Sequence, residues 1–138
     1  MSLKPTEFFD LAKSLNESSG EIYARTAVNR AYYSAIHRAT EVIPLDCFPD
    51  GDDVGSHERV IRAAEKLGNA VRPGRSAARE LARALRRMKE SREIADYELN
   101  KSITNAYADD VIERARAALA LCDDIERQIA IATNQKAG

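Results

Sequence analysis

Residues 21–39 run Glu21-Ile22-Tyr23-Ala24-Arg25-Thr26-Ala27-Val28-Asn29-Arg30-Ala31-Tyr32-Tyr33-Ser34-Ala35-Ile36-His37-Arg38-Ala39. The pattern predicts a long helix from about Gly20 to Val42, closed by Pro44. A helix turns ~100° per residue, so positions seven apart nearly coincide in direction. Arg30 and His37 therefore share a face, with Tyr33 between them and Asn29 on the same side. Tyr32 and Tyr33 fit core or interface aromatics. Asn29, Arg30 and Ser34 weaken a purely apolar reading, because a buried polar group needs a partner or a partly wet cleft.

That face joins a permanent cation, an amide, a phenol and an imidazole along about two turns. The planar guanidinium of Arg30 suits phosphate. An imidazole, here that of His37, is the side chain suited to moving a proton near neutral pH. Attack of a ribose 2′-hydroxyl on its neighbouring phosphodiester needs those two groups, one to move a proton and one to hold the charged phosphorus centre. Spacing alone equally fits a buried His37 satisfied by a carboxylate.

Working outward, every other segment also has helical spacing. Thr6 to Asn16 places Phe8, Leu11 and Leu15 on one side, with Pro5 at the entrance and Ser18-Ser19-Gly20 as the stop. The acidic, turn-rich loop from Pro44 to Gly55 precedes Ser56, which fits an N-cap with Glu58 in the first turn. Val60, Ile61, Ala64 and Leu67 form the inner side of the third helix. Arg72-Pro73-Gly74 ends it, and the fourth opens at Arg75 or Ser76 with Ala78, Leu81, Leu85 and Met88 inward. Residues 94–102 fit a helical continuation or a link. A last helix from near Thr104 to about Ala132 buries Val111, Ala115, Ala118, Cys122, Ile125 and Ile129. No β-like alternation of useful length occurs. The expected fold is all-α: an antiparallel, up-and-down bundle of four main helices plus a short one, formed by residues 1–138 as a single domain.

Lys and Arg number 21 against 22 Asp and Glu, a formal net charge of −1. That balance excludes a general, strongly basic nucleic-acid scavenger and leaves only local patches for such contact. One patch lies between Arg72 and Arg92, where eight basic residues face two glutamates. Arg75, Arg79, Arg83 and Arg86 or Arg87 recur at four-residue steps, opposite Leu81, Leu85 and Met88. The stripe fits a solvated face, a track for an RNA backbone or a surface for an acidic partner. Cys47 and Cys122 have no ligand spacing, so no metal site or cofactor is expected, and two free thiols fit a cytoplasmic protein. No run of ~20 apolar residues suggests a membrane span.

The run from Arg25 to His37, with Asn29-Arg30-Ala31-Tyr32-Tyr33 at its centre, resembles the signature helix of HEPN domains, in particular the small stand-alone prokaryotic branch. Glu21 and Arg25 match the pair preceding that signature. Ser56-His57 before Val60 matches the histidine opening the third helix, and Arg92 with Ala95-Asp96-Tyr97 matches a segment after the fourth. Together these pieces cover about residues 5–130. The resemblance implies a helical homodimer and a metal-independent endoribonuclease in which Arg30 and His37 are catalytic. In the dimer the two motifs would line one composite cleft. Six residues separate Arg30 from His37, the widest spacing the family's motif allows. In the family's nucleases a polar residue, often Asn, follows the arginine; here Ala31 follows and Asn29 precedes.

On that resemblance Asn29 and Tyr33 would position substrate, while Arg79 and Arg83, from the basic stripe, would contact its backbone. Glu21, Arg25, His57, Asp96 and Tyr97 would support the site. Glu21 and Arg25 would pair one turn apart for about 0.2–0.5 kcal/mol. The resemblance further implies a toxin paired with a minimal nucleotidyltransferase antitoxin, or an inactive module that binds nucleotides or that partner.

Overall fold

Alanine spacing places the second helix at the centre of the molecule. Ala24, Ala27, Ala31, Ala35 and Ala39 are all fully buried, which lets neighbouring helices approach on several sides. The computed structural model describes residues 3–51 and 54–137 and, among them, contains five α-helices and no strand. They are α1 (Pro5–Asn16), α2 (Glu21–Val42), α3 (Ser56–Asn69), α4 (Arg75–Tyr97) and α5 (Asn105–Ala137), with a single 3₁₀ turn at Leu45–Cys47. α2 packs against all four other helices. Tyr32, Ile61, Leu67, Leu81, Leu85, Met88 and Ile125 fill the space between them.

The bundle is not a simple up-and-down one. Near its start α2 meets the entrance of α5, where Glu21 accepts the Ile103 N–H at 2.9 Å. Near its end Arg38 reaches Asp123 at 2.9 Å and Glu126 at 3.0 Å. α2 and α5 therefore run in the same direction. α3 also runs with α2: its first turn lies beside Tyr33, and Asp46, just past α2, binds Lys66 and Arg72 near the end of α3. The reason is the connection 43–55, which is long enough to return the chain partway along α2 before α3 begins. α1 opposes α2, and α4 opposes both α3 and α5, as their short links require.

Several boundaries follow from local chemistry. Pro5 occupies the first turn of α1, where its missing N–H goes unused. Gly74 enters α4 at φ +87°, and a Cβ there would sit 3.3 Å from Ile125, so both backbone and space call for glycine. Thr104 caps α5 by accepting the Tyr107 N–H at 3.0 Å. α5 continues past Ala132 to Ala137, since no breaker interrupts it.

Two sequence expectations change. Ser56 is the first helical residue of α3; Gly55 is its N-cap, with no side-chain cap bond. In α1 the buried residues are Pro5, Phe9 and Ala12, while Leu11 is 45% exposed. The helix lies against both α2 and α5, and small Ala12 permits closer contact than Leu11 would.

Candidate functional site

Asn29, Arg30, Tyr33 and His37 occupy the partly exposed positions of a helix that is otherwise largely buried. The Tyr33 ring gathers the two histidines of the chain. His37 stacks on it with centroids 5.9 Å apart, and His57, from the first turn of α3, meets it edge-on at 5.2 Å. Phe8 of α1 closes over His37 at 5.1 Å. Fully buried Tyr32 supports His57 from behind at 5.4 Å. Three helices thus converge on one aromatic cluster.

A groove of about 550 Å³ opens beside it, between α2, the segment 45–50 and the start of α3. His37, His57, Ile36, Phe48, Asp50 and Arg59 are among its walls. Arg30 stands outside this lining, about two turns before His37 on the same face of α2. Arg30 makes no ion pair among the described residues, whereas its helix neighbours Arg25 and Arg38 do. A half-buried cation left without a carboxylate is available to an anion.

Asn29 is committed elsewhere. Its amide donates to Asp96 Oδ2 at 3.0 Å. Arg92 reaches the same Asp96 oxygen at 3.5 Å and His57 Nδ1 at 3.5 Å, with its guanidinium 5.5 Å above the Tyr32 ring. Asp96 therefore ties α4 to the site, while Tyr97, one residue on, is 73% exposed. Burial lowers the pKa of His57, and the nearby charges of Arg92, His37 and Lys89 act in the same direction. Burial pushes the Tyr32 phenol up to about 12.

Arg25 has a larger structural role than a helix-surface pair. It is buried and donates to the Ala95 carbonyl at 2.8 Å, to the Ile94 carbonyl at 3.3 Å and to the Glu98 carbonyl at 3.2 Å. It also bonds the Lys101 carbonyl and pairs with Glu21 at 3.0 Å. These carbonyls belong to the last turn of α4 and the link after it, where helical partners run out. The segment 94–102 is accordingly helical to Tyr97 and then a folded link. The Ile103 N–H and Arg25 hold the Glu21 carboxyl below its usual range.

The basic stripe of α4 is divided. Arg79 donates to the Gly68 carbonyl at 3.1 Å, and Arg86 is held at 2.8 Å by both Glu58 and Glu65 of α3. Arg83 and Arg87 have no ion pair among the described residues and line a second groove, of about 570 Å³, with Arg86 and with Arg114 of α5. Arg92 lies nine positions after Arg83, a turn of ~900°, so the two project from opposite sides of α4. The fold does not bring Arg79 or Arg83 to His37.

Helical spacing does not place Phe8 or Arg92 at the site: the period of α1 puts Phe8 on its inner face, and the i, i+4 relation of Arg92 to Asp96 is the available sign of the latter. No cluster of three or more metal-ligating side chains occurs among the described residues. No helix among them is long and apolar enough to cross a membrane. Cys47 and Cys122 are buried free thiols. No family model matches the chain, and neither does any curated protein or solved structure.

Proposed function

We propose that this chain is a metal-independent endoribonuclease of HEPN type, acting as a homodimer and serving as the toxin of a toxin–antitoxin pair. The observation that carries the catalytic reading is the face of α2, where Arg30 has no ion pair among the described residues and His37 is exposed beside a groove. In this reading His37 takes the proton of a ribose 2′-hydroxyl. The resulting alkoxide attacks the adjacent phosphorus, and the bond to the 5′-oxygen breaks as that oxygen takes up the proton that His37 accepted. Arg30 neutralises the charge that builds on the phosphorus oxygens. Tyr33 holds the His37 ring by stacking. The products are a 2′,3′-cyclic phosphate and a 5′-hydroxyl.

The homodimer is supported by apolar side chains left in water beside the same face. Ile22, Tyr97 and Leu99 are each at least 69% exposed, near where Arg25 joins α2 to the link after α4. The toxin role and the minimal nucleotidyltransferase antitoxin rest on the resemblance of residues 25–37 to the HEPN signature. One observation favours the alternative, an inactive HEPN module that binds nucleotides or that partner. Asn29 is engaged by Asp96, and Ala31 puts no polar group after Arg30.

The test is end-group analysis of RNA incubated with the purified protein in EDTA. Fragments with 2′,3′-cyclic phosphate and 5′-hydroxyl ends are expected. Fragments with 5′-phosphates, or cutting that EDTA abolishes, would refute this chemistry, and intact RNA would favour the binding module.

A further inference from the structure

Arg92 has no part in the cleavage step above, yet it lies between the tyrosine-bearing turn of α2 and the first turn of α3. Its guanidinium has only donors, so its approach to His57 Nδ1 at 3.5 Å favours a lone pair on that nitrogen. The one proton of the neutral ring then sits on Nε2. A second proton on His57 would set an N–H against a fixed cation, which agrees with the direction of its pKa. Arg92 is itself held by Asp96, and Asp96 by the amide of Asn29. The chain Asn29–Asp96–Arg92–His57 crosses from α2 through α4 to α3 and fixes one tautomer at its end.

The ring so fixed lines the same groove as His37. The charged and titratable groups around it are Arg92 and Lys89 of α4, His37, Tyr32 and Tyr33 of α2, and Glu58 on its own helix. Glu58 is neutralised by Arg86 and Lys89. Arg59 and Asp50 also line the groove, as its one arginine and one carboxylate among the described residues. A neutral N–H donor in a mainly cationic setting suits an anionic oxygen.

Building on the nuclease reading, we propose that His57 is a second substrate-contacting residue: a neutral Nε2–H donor to a non-bridging oxygen of the phosphodiester on which His37 acts. Asn29, Asp96 and Arg92 are its positioning residues. His57 transfers no proton in this role; it holds the oxygen on which charge grows.

The chain has only two histidines, so imidazole ¹⁵N spectra contain two spin systems, assigned with His37→Gln and His57→Gln. In the wild type at pH 7, His57 is expected as the Nε2–H tautomer, titrating below the ordinary histidine range. A non-cleavable 2′-deoxy dinucleotide should shift its Nε2 resonance. Arg92→Met should abolish the tautomer preference and raise the pKa. For cleavage, His57→Phe should lower the rate about 100-fold. His57→Gln, which keeps a neutral N–H donor, should recover part of that loss, a rescue that a purely structural ring would not show. An Nδ1–H tautomer, ordinary titration, or resonances unmoved by the dinucleotide would overturn the proposal, and the wild-type spectrum alone reads the first two. Absent RNA cleavage with the expected tautomer and dinucleotide shift would refute the nuclease reading and leave His57 as an anion donor. Cleavage that is unchanged in His57→Phe would do the reverse.

Discussion

Two arginines on α2, five residues apart, have opposite surroundings. Arg25 is buried and bonded to four backbone carbonyls and Glu21. Arg30 is half-buried and without an ion pair among the described residues. The first fixes where α4 stops and how the chain enters α5. The second leaves charge at the surface beside an exposed imidazole. One helix thus uses the same side chain to hold the fold at one end and to keep a site open farther along. The lesson is that saturation of donors, more than residue type, separates an arginine that holds the fold from one left available at the surface.

The comparison breaks most directly at Arg25. Arg25→Ala removes a buried cation and leaves carbonyls of the α4 terminus unsatisfied, so it should lower stability by about 3–5 kcal/mol. Urea unfolding measures this, and a loss under 1 kcal/mol would show that the link after α4 does not depend on Arg25. A smaller effect of opposite sign is expected between the two regions. The Tyr32 hydroxyl is buried with no partner among the described residues, so Tyr32→Phe should match the wild type or exceed it by up to ~1 kcal/mol in the same assay.

Acid sharpens the contrast further. His57 binds its proton more weakly folded than unfolded, so the unfolded chain takes up more protons as pH falls below about 6.5. Stability should therefore decline from that pH downward until the folded-state pKa is passed, and His57→Gln should remove this component from a series of unfolding curves. The smallest stability change belongs to Arg30→Ala, expected within about 0.5 kcal/mol of wild type because no partner is lost. A destabilisation of 2 kcal/mol or more would place Arg30 in the fold with Arg25.

Much of this architecture was legible in the residues. Helical spacing marked Val60, Ile61, Ala64 and Leu67, all buried, and likewise Ala78, Leu81, Leu85 and Met88. The spacing from Asn29 to His37 identified the partly exposed face of α2. Direction was not legible: the 43–55 connection carries turn residues that suit an antiparallel reversal or a return along the bundle, and only packing decides. Periodicity also misplaced the inner face of α1, because a helix with two neighbours buries a different arc from a helix with one. The Asn29–Asp96–Arg92–His57 chain spans three helices, so no local spacing could assemble it. The resemblance had already singled out all four residues, but not their order of contact. Arg79 and Arg86 illustrate the converse: their four-residue steps suggested a free stripe, and α3 neutralises Arg86 with carboxylates that are remote in sequence.

The central claim is that the face of α2 bearing Arg30 and His37 performs chemistry rather than packing. Its most direct test is the cleavage rate of RNA in EDTA for the wild type and for His37→Ala, each with its unfolding curve. The account predicts a rate loss of about 10²–10⁴-fold in the variant, with stability within about 0.5 kcal/mol of wild type. Equal cleavage by the two proteins, both folded, would contradict it.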